Sequence, residues 1–529
     1  MNAPLLARTV VQTLIAAGVR EVVLSPGSRN AGLALALATA HEAGRLRLHV
    51  RVDERSAGFL ALGLAKASGG LVGVVTTSGT AVANLHPAVA EAHHSGLSLV
   101  VMSADRPLSL RDSGSNQTTR QVGLFGPHVL DSVDLADESG RPQTWRGQLV
   151  RALTLAAGTR TREPGPVHVN LGLATPLVDP SLMESRWLDE APAPRSVAAA
   201  RPAEPTMINP GPRTVVVAGD ATPPHGRAAR AFAEQLGVPL LAEPSSNARS
   251  GGFAVGRVAD LLTSDLVGDI ERVIVFGHPT LSRPMTRLLG RSDCEVIMVA
   301  DRASWVDPGW AATSVVDAVI AGGTADGAWL RRWLDHPANV EAPDGGWTSR
   351  SVTERVLLSV TPGEALVLGS SAPIRWADRA PVPNEGPIVF ANRGLAGIDG
   401  TLSTALGTRL VTGLGTTVLL GDLTTVHDLT ALVGGDLEQD PGVRVVVVDD
   451  HGGAIFAGLE QGAEVYGRHF ARVFGTPQRV DLVAAASGLG ADARAVRSLS
   501  ELDEALASPH PEHGWQVIVA RLTGTAPVE

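Results

Sequence analysis

The sequence predicts an α/β protein built of three doubly wound parallel sheets, and three observations carry that prediction. Short apolar runs that end in Gly/Ser-rich loops alternate with amphipathic stretches, as expected when parallel strands are covered by helices. The alternation comes in three blocks separated by Pro-rich breaks. The length of 529 residues suits three or four domains at roughly 150 residues each.

At the N-terminus Leu6, Val10 and Leu14 share one helical face, while Arg8 and Gln12 interrupt the apolar run, so this stretch reads as a helix and not as an export signal. Strands are expected at 21–24, 46–52, 71–76 and 97–102. Pro192, Pro194, Pro202, Pro205, Pro210 and Pro212 then punctuate an Ala-rich stretch that reads as a linker. Strands resume at 214–217, 272–276 and 295–299. After a second break they return at 365–368, 417–420, 443–448 and 516–520. The expected division is residues 1–185, a linker at 186–212, a middle α/β domain at 213–336, a linker at 337–346, and a third domain at 347–529.

Composition narrows the function classes. Hydrophobic residues make up 44% and charged residues 19%, which excludes a coiled coil or a disordered tail protein. The net charge of -10 argues against a nucleic-acid partner, because a phosphate backbone needs a basic surface. Lys66 is the only lysine, so the basic side chains are nearly all arginine. No apolar run approaches a membrane span, so no membrane insertion is expected. The single cysteine, Cys294, forms no internal disulfide, and a reducing cytoplasm is the expected compartment.

Ligands of open parallel sheets bind at the carboxyl ends of the strands. The loops there hold Ser25-Pro-Gly-Ser-Arg29, Asp53-Glu-Arg55, Thr77-Ser-Gly-Thr80, Ala104-Asp-Arg-Pro107, Gly369-Ser-Ser371, Gly421-Asp422 and Asp449-Asp-His-Gly-Gly453. In the third block two acidic strand ends, Asp422 and Asp449-Asp450, would meet if their strands are neighbours. Two hard carboxylates can then hold a magnesium ion, and the ion can hold phosphate oxygens. The plainer alternative is that Asp422 caps a helix and the other two are solvated loop acids.

The interval from Gly421-Asp422-Leu423 to Asp449-Asp450 resembles the diphosphate motif of thiamine-diphosphate-dependent enzymes, with Leu423 in place of the motif's second glycine and Asp449-Asp450 in place of its paired asparagines. The resemblance implies that Asp422, Asp450 and the carbonyl of Gly452 bind magnesium, or manganese. It also implies a glutamate at the aminopyrimidine of the cofactor, for which Glu54 is the candidate, and a pyrimidine-contacting turn, matched by Thr77, Ser78, Gly79 and Asn84. The remaining cofactor contacts on this pattern are Ile398, Gly421, Leu423, Gly453, Ile455 and Phe456. Ile398 and Phe456 would be apolar walls, and ordinary core packing is the alternative for both.

The match extends further. Ser25-Pro-Gly-Ser-Arg29, Asp53-Glu-Arg55, the 77–84 segment, Ser103-Ala-Asp-Arg-Pro107, Asn116-Gln117, the 392–400 segment and Gly453-Ala-Ile-Phe456 together resemble the 2-succinyl-5-enolpyruvyl-6-hydroxy-3-cyclohexene-1-carboxylate synthase family of menaquinone biosynthesis. The first block is then a pyrimidine-binding domain and the third a diphosphate-binding domain. The implied reaction decarboxylates 2-oxoglutarate and adds the succinyl fragment to isochorismate in a 1,4-addition. Both substrates are dicarboxylates, and an arginine fork suits them. Family positions that bind substrate are matched by Ser28, Arg29, Arg106, Asn116, Gln117, Arg283, Ser371, Arg375 and Arg393; Ser282 stands where some relatives have lysine. The resemblance also implies a homodimer or homotetramer with active sites between chains.

Taken singly, each arginine reads as a surface ion pair worth little. Two other functions stay open: a thiamine enzyme acting on pyruvate-like oxoacids, and a non-catalytic relative that binds a metabolite. His93-His94 reads as a solvated pair in a helix-to-strand connection, and neither Asp131 nor Asp134 has a readable role.

Overall fold

The computed structural model describes residues 3–190, 196–339 and 345–522. Pro192 and Pro194 of the first expected linker, and residues 340–344 of the second, lie outside the described residues. The chain divides into two compact units. One is Met1–Ala200 with Leu402–Gly413 and Asp428–Pro441; the other is Arg201–Thr401 with Leu414–His427 and Gly442–Glu529.

The first unit is a six-stranded parallel sheet of β1 (Glu21–Leu24), β2 (Arg47–Val50), β3 (Val72–Thr76), β4 (Leu99–Asp105), β5 (Ser132–Ala136) and β6 (Val167–Gly172), in the order β2-β1-β3-β4-β6-β5. Alternation along the strands covers both faces. Val22 and Leu24 enter one core with Leu6, Val10 and Leu14 of the helix Ala3–Ala16, as the one-face spacing requires. Val23, between them, is fully buried outside that core. The helix Glu54–Ser68 starts at Asp53, whose side chain accepts from the backbone N–H groups of Arg55 and Ser56, and stops at Gly69 in the left-handed region at φ 65. The helix Thr401–Thr412, distant in sequence, lies against it. Gly63 and Gly407 permit that crossing: a Cβ on Gly63 would strike the Thr404 carbonyl oxygen, and one on Gly407 the Leu60 carbonyl oxygen.

The second unit holds three sheets. β7 (Thr206–Ile208) pairs with β13 (Val319–Ala321). β8 (Thr214–Ala218), β9 (Leu240–Ala242), β10 (Arg272–Phe276), β11 (Glu295–Val299) and β12 (Ser314–Val316) form a parallel sheet in the order β12-β11-β10-β8-β9. Its two faces feed two cores: Val273 and Val275 point into one, Ile274 and Phe276 into the other. β14 (Ala365–Leu368), β15 (Ile388–Phe390), β16 (Thr416–Gly421), β17 (Val443–Asp449), β18 (Asp492–Val496) and β19 (Trp515–Arg521) form the last sheet, in the order β15-β14-β16-β17-β19-β18. These sheets are the parallel, doubly wound α/β layers that the alternation of strands and helices predicts.

Part of the stretch expected as linker is regular. The short helix Arg186–Asp189 and β7 both fall within 186–212, because Trp187 and Leu188 join the first core and Ile208 is buried beside β13. β5 and β6, absent from the sequence expectation, complete the first sheet. His168 and Asn170 break the apolar run of β6, yet both are fully buried.

Candidate active site

In the first unit the strand-end loops converge. Gly27 takes no Cβ because Thr77 occupies that space, so the 25–29 loop lies directly on the turn after β3. Gly79 stands at φ 80 and ψ -133, a conformation that glycine adopts with far less strain than a residue with a side chain. Three side chains hold this turn. Gln117 Nε2 donates to the Ser78 carbonyl at 2.8 Å, the Ser78 hydroxyl donates to the Gln117 carbonyl at 2.9 Å, and Gly79 N donates to Gln121 Oε1 at 3.0 Å. Arg106 joins them, donating to Ser78 Oγ at 2.9 Å and to the Asn116 carbonyl at 2.8 Å. Arg29 donates to the Leu173 carbonyl at 2.9 Å; burial lowers its pKa, and the like charge of Arg106 lowers it further. Thr77, Ser78, Gly79, Arg29, Arg106, Asn116 and Gln117 are thus brought together, with Ser28 exposed beside Arg29.

Glu54 is the first residue of its helix and is half-buried. Asn84 Nδ2 donates to Glu54 Oε2 at 3.3 Å, which joins the candidate acid to the 77–84 turn. Gln121 went unread, although it supports that turn. It is buried, and its Nε2 donates onward to Asn170 Oδ1 at 2.9 Å. Asn170 in turn donates to Asp105 at 3.0 Å and Asp134 at 2.9 Å, and Arg111 pairs with both acids. Asp134 therefore has a role, as an anchor of this network; its spacing in the sequence carried no signal.

His93 and His94 correct the sequence expectation. They end the helix His86–Ser95, and His94 is exposed while His93 is half-buried. Both rings pack near His128, at 5.8 and 5.9 Å between centroids.

In the second unit, Gly421 of β16 stands opposite Val448 of β17, so Asp422 and the Asp449-Asp450 pair leave adjacent strand ends side by side. Asp422 opens the helix Asp422–His427, and its Oδ1 accepts from Leu423 N at 2.7 Å. Asp422 and Asp450 are both buried. Burial pushes the Asp422 carboxyl up to about 6, with Asp449 adding to it. Burial first, then Asp422 and Asp449, push Asp450 up to about 7. Two neighbouring buried acids whose ionised forms are this disfavoured are what a divalent cation neutralises. Among the described residues no group of three or more His, Cys, Asp or Glu could hold a metal, so a cation here would rely on these two carboxylates, backbone oxygen and ligand oxygens.

A cavity of about 110 Å³ opens beside the pair. Ser371, Ile398, Gly421, Leu423, Gly452, Gly453, Ile455 and Phe456 line it, together with Thr353 and Trp376, which went unread. Gly452, at φ 132, has the Gly475 carbonyl where a Cβ would go, and Gly453 N donates to that carbonyl at 2.7 Å. Ser371, at φ 79, precedes the helix Ala372–Arg379, where Arg375 donates back to the Ser371 carbonyl at 2.9 Å. Burial lowers the Arg375 pKa, and Arg393 lowers it further. Arg393 is buried and donates to Thr280 Oγ1 at 2.8 Å. Arg283 is 70% exposed and reaches only Glu460, at 3.9 Å. Ser282 caps the helix Arg283–Leu289, its hydroxyl accepting from Met285 N at 3.3 Å.

The arrangement can hold a diphosphate–cation pair at one set of strand ends and dicarboxylates at two arginine pairs. Comparison with known proteins agrees. Residues 5–124 match the thiamine pyrophosphate enzyme N-terminal TPP-binding domain. The chain is similar to the 2-succinyl-5-enolpyruvyl-6-hydroxy-3-cyclohexene-1-carboxylate synthase of Kineococcus radiotolerans, at 46% identity over 98% of this chain and 96% of that protein. The same-named synthase of a Nocardioides species is 46% identical, over 95% and 92% of the two chains. A crystal structure of benzoylformate decarboxylase from Polynucleobacter necessarius shares the fold, with a TM-score of 0.69 at 17% identity over 99% of both chains. With full-length relatives at this identity and a thiamine-type first domain, the chain belongs to the 2-succinyl-5-enolpyruvyl-6-hydroxy-3-cyclohexene-1-carboxylate synthase family of thiamine-diphosphate-dependent enzymes.

Proposed function

We propose that the protein decarboxylates 2-oxoglutarate and adds the succinyl fragment to isochorismate, releasing carbon dioxide in a step of menaquinone biosynthesis. The observation that carries this reading is the presence of two arginine pairs, Arg29 with Arg106 and Arg375 with Arg393, in which burial first and the like-charged neighbour second lower the pKa of Arg29 and of Arg375. Keeping two guanidiniums together is costly unless an anion arrives, and substrates with two carboxylates provide it. A pyruvate-type substrate, with one carboxylate and a small apolar tail, would not need both pairs.

Thiamine diphosphate, when bound, supplies a nucleophilic carbon and an electron sink for loss of carbon dioxide. The chain supplies the rest. Asp422, Asp450 and the Gly452 carbonyl would hold magnesium, with manganese as a substitute. Gly421, Leu423 and Gly453 would give the phosphates close backbone approach. Thr77, Ser78, Gly79 and Asn84 would orient the pyrimidine, and Glu54, positioned by Asn84, would hold and return the proton at its ring nitrogen. Ile398, Ile455 and Phe456 would exclude water from the reacting carbon. Ser28, Arg29, Arg106, Asn116, Gln117, Arg283, Ser371, Arg375 and Arg393 would bind the two substrates.

Residues 1–185, 213–336 and 347–529 would be the pyrimidine-binding, middle and diphosphate-binding domains. The working form would be a cytoplasmic homodimer or homotetramer in which Glu54 of one copy serves the cofactor of another; closed symmetric assemblies are the general rule. Among the described residues no helix is long and apolar enough to cross a membrane. The test is carbon dioxide release from 2-oxoglutarate with thiamine diphosphate and magnesium, with and without isochorismate, followed by mass spectrometry. An adduct that retains the succinyl carbons supports the proposal; turnover of pyruvate without turnover of 2-oxoglutarate refutes it.

A further inference from the structure

Behind Arg393 lies a carboxyl that the reaction set out above does not use. Glu243 follows β9 and is 3% exposed. Its Oε1 accepts from Leu281 N at 2.8 Å, while its Oε2 is buried with no hydrogen-bond partner. The same turn reaches Arg393, because Thr280 Oγ1 accepts from Arg393 Nη2 at 2.8 Å. Arg393 is itself 4% exposed and keeps a buried Nε without a hydrogen-bond partner. Glu243 and Arg393 are therefore linked through the Thr280–Leu281 turn, and the next residues along the chain are Ser282 and Arg283, where a helix begins.

We propose that Glu243 is a positioning residue: with Thr280 it locks Arg393 and the start of the helix Arg283–Leu289 into one arrangement, so that both arginines are presented to substrate carboxylates. This rests on the reading of Arg393 and Arg283 as substrate groups. A buried polar pair left partly unsatisfied is expensive in isolation and is retained where it organises a site.

This link has a consequence for pH. The groups that face Glu243 are Arg393, which favours its ionised form, Asp378, which opposes it, and the backbone N–H groups of Leu281 and Thr280. Burial outweighs the favourable contacts and pushes the carboxyl up to about 8. At neutral pH Glu243 is therefore neutral, and the Arg393 charge is left for substrate. Above about pH 8 Glu243 ionises and competes for that charge.

The experiment measures kcat and KM for each dicarboxylate from about pH 6 to about pH 10, in the wild type and in Glu243→Gln, Thr280→Val and Arg393→Met. One substrate's KM should rise in the wild type above about pH 8, and Glu243→Gln should flatten that rise. Thr280→Val should raise the same KM about tenfold at every pH, with kcat less affected. A Glu243→Gln variant that keeps the wild-type alkaline rise would overturn the proposal, as would a Thr280→Val variant that melts earlier with both KM values unchanged. Arg393→Met separates the two readings. If it cripples turnover while the Glu243 and Thr280 variants leave KM unchanged, only the positioning role falls; if it behaves as wild type, the reading of Arg393 itself falls.

Discussion

Replacing Asp450 by Asn should stabilise the cofactor-free protein and weaken its hold on cofactor, two effects of opposite sign from one atom. Asp450 is buried beside Asp422 and Asp449, and its carboxyl is pushed from 3.8 to about 7. A pKa that is raised on folding means the native state keeps a proton that the unfolded chain has released. Stability therefore falls as the pH rises from 3.8 to about 7, and the loss is complete above that value. At about 1.4 kcal/mol for each tenfold change, the ceiling on that loss is about 4 kcal/mol, and part of it is shared with Asp422. Asn is nearly isosteric and neutral, so it recovers a few kcal/mol above pH 7 and almost nothing near pH 4. For a domain of about 150–250 residues, each kcal/mol moves Tm by roughly 2–4 °C. Differential scanning calorimetry of cofactor-free protein at about pH 4 and about pH 8 should show the variant melting several degrees higher at the alkaline pH and hardly shifted at the acid one. With magnesium and thiamine diphosphate the order should reverse if Asp450 is one of two carboxylate ligands, as proposed. Superimposable melts at the alkaline pH, together with unchanged magnesium-dependent binding of thiamine diphosphate by titration calorimetry, would refute the assignment.

Three further outcomes are expected. Glu54→Gln should lower kcat by at least about 100-fold in a carbon dioxide release assay while thiamine diphosphate still binds, because only proton transfer is lost; equal rates would remove Glu54 from the mechanism. Gly63→Ala should destabilise the first unit by about 3 kcal/mol in denaturant melts, since the added methyl meets the Thr404 backbone oxygen, which cannot rotate away; a change under about 0.5 kcal/mol would contradict the crossing geometry. His168 is fully buried, with Ser103 Oγ 2.7 Å from its Nε2, and burial lowers its pKa from 6.5 to about 4. The unfolded chain binds the proton first, so stability is complete above about pH 6.5 and is lost as the pH falls through that window toward about 4. His168→Gln should flatten the acid arm of the stability profile, and an unchanged arm would refute the burial argument.

The strands at 272–276 and 295–299 were legible to the residue because in each a charged residue is followed by four consecutive apolar ones, buried on both faces. β6 was not, since His168 and Asn170 alternate with its apolar side chains and read as solvent-facing. Ser103 on β4 makes both polar groups burial-compatible, together with Gln121, Asp105 and Asp134 around Asn170. At the candidate site the acids and arginines could be named in advance, as they end strands in a recognisable order. Gln121, Thr280 and Glu243 could not, because each meets a partner far away in the chain.

The sequence by itself determined the parallel α/β class, the strand-end loops that carry charge, and the family, because hydrophobic period and motif order are local properties of the chain. Tertiary structure decided which loops meet. Strand order sets Gly421 against Val448 and so brings two carboxylates together, while close packing fixes the backbone at the Gly79 turn of the first unit and, separately, at Gly452 of the second. It also decided protonation: Asp422, Asp450 and Glu243 look like ordinary acids in the chain, and burial first, then neighbouring acids, makes their charges costly.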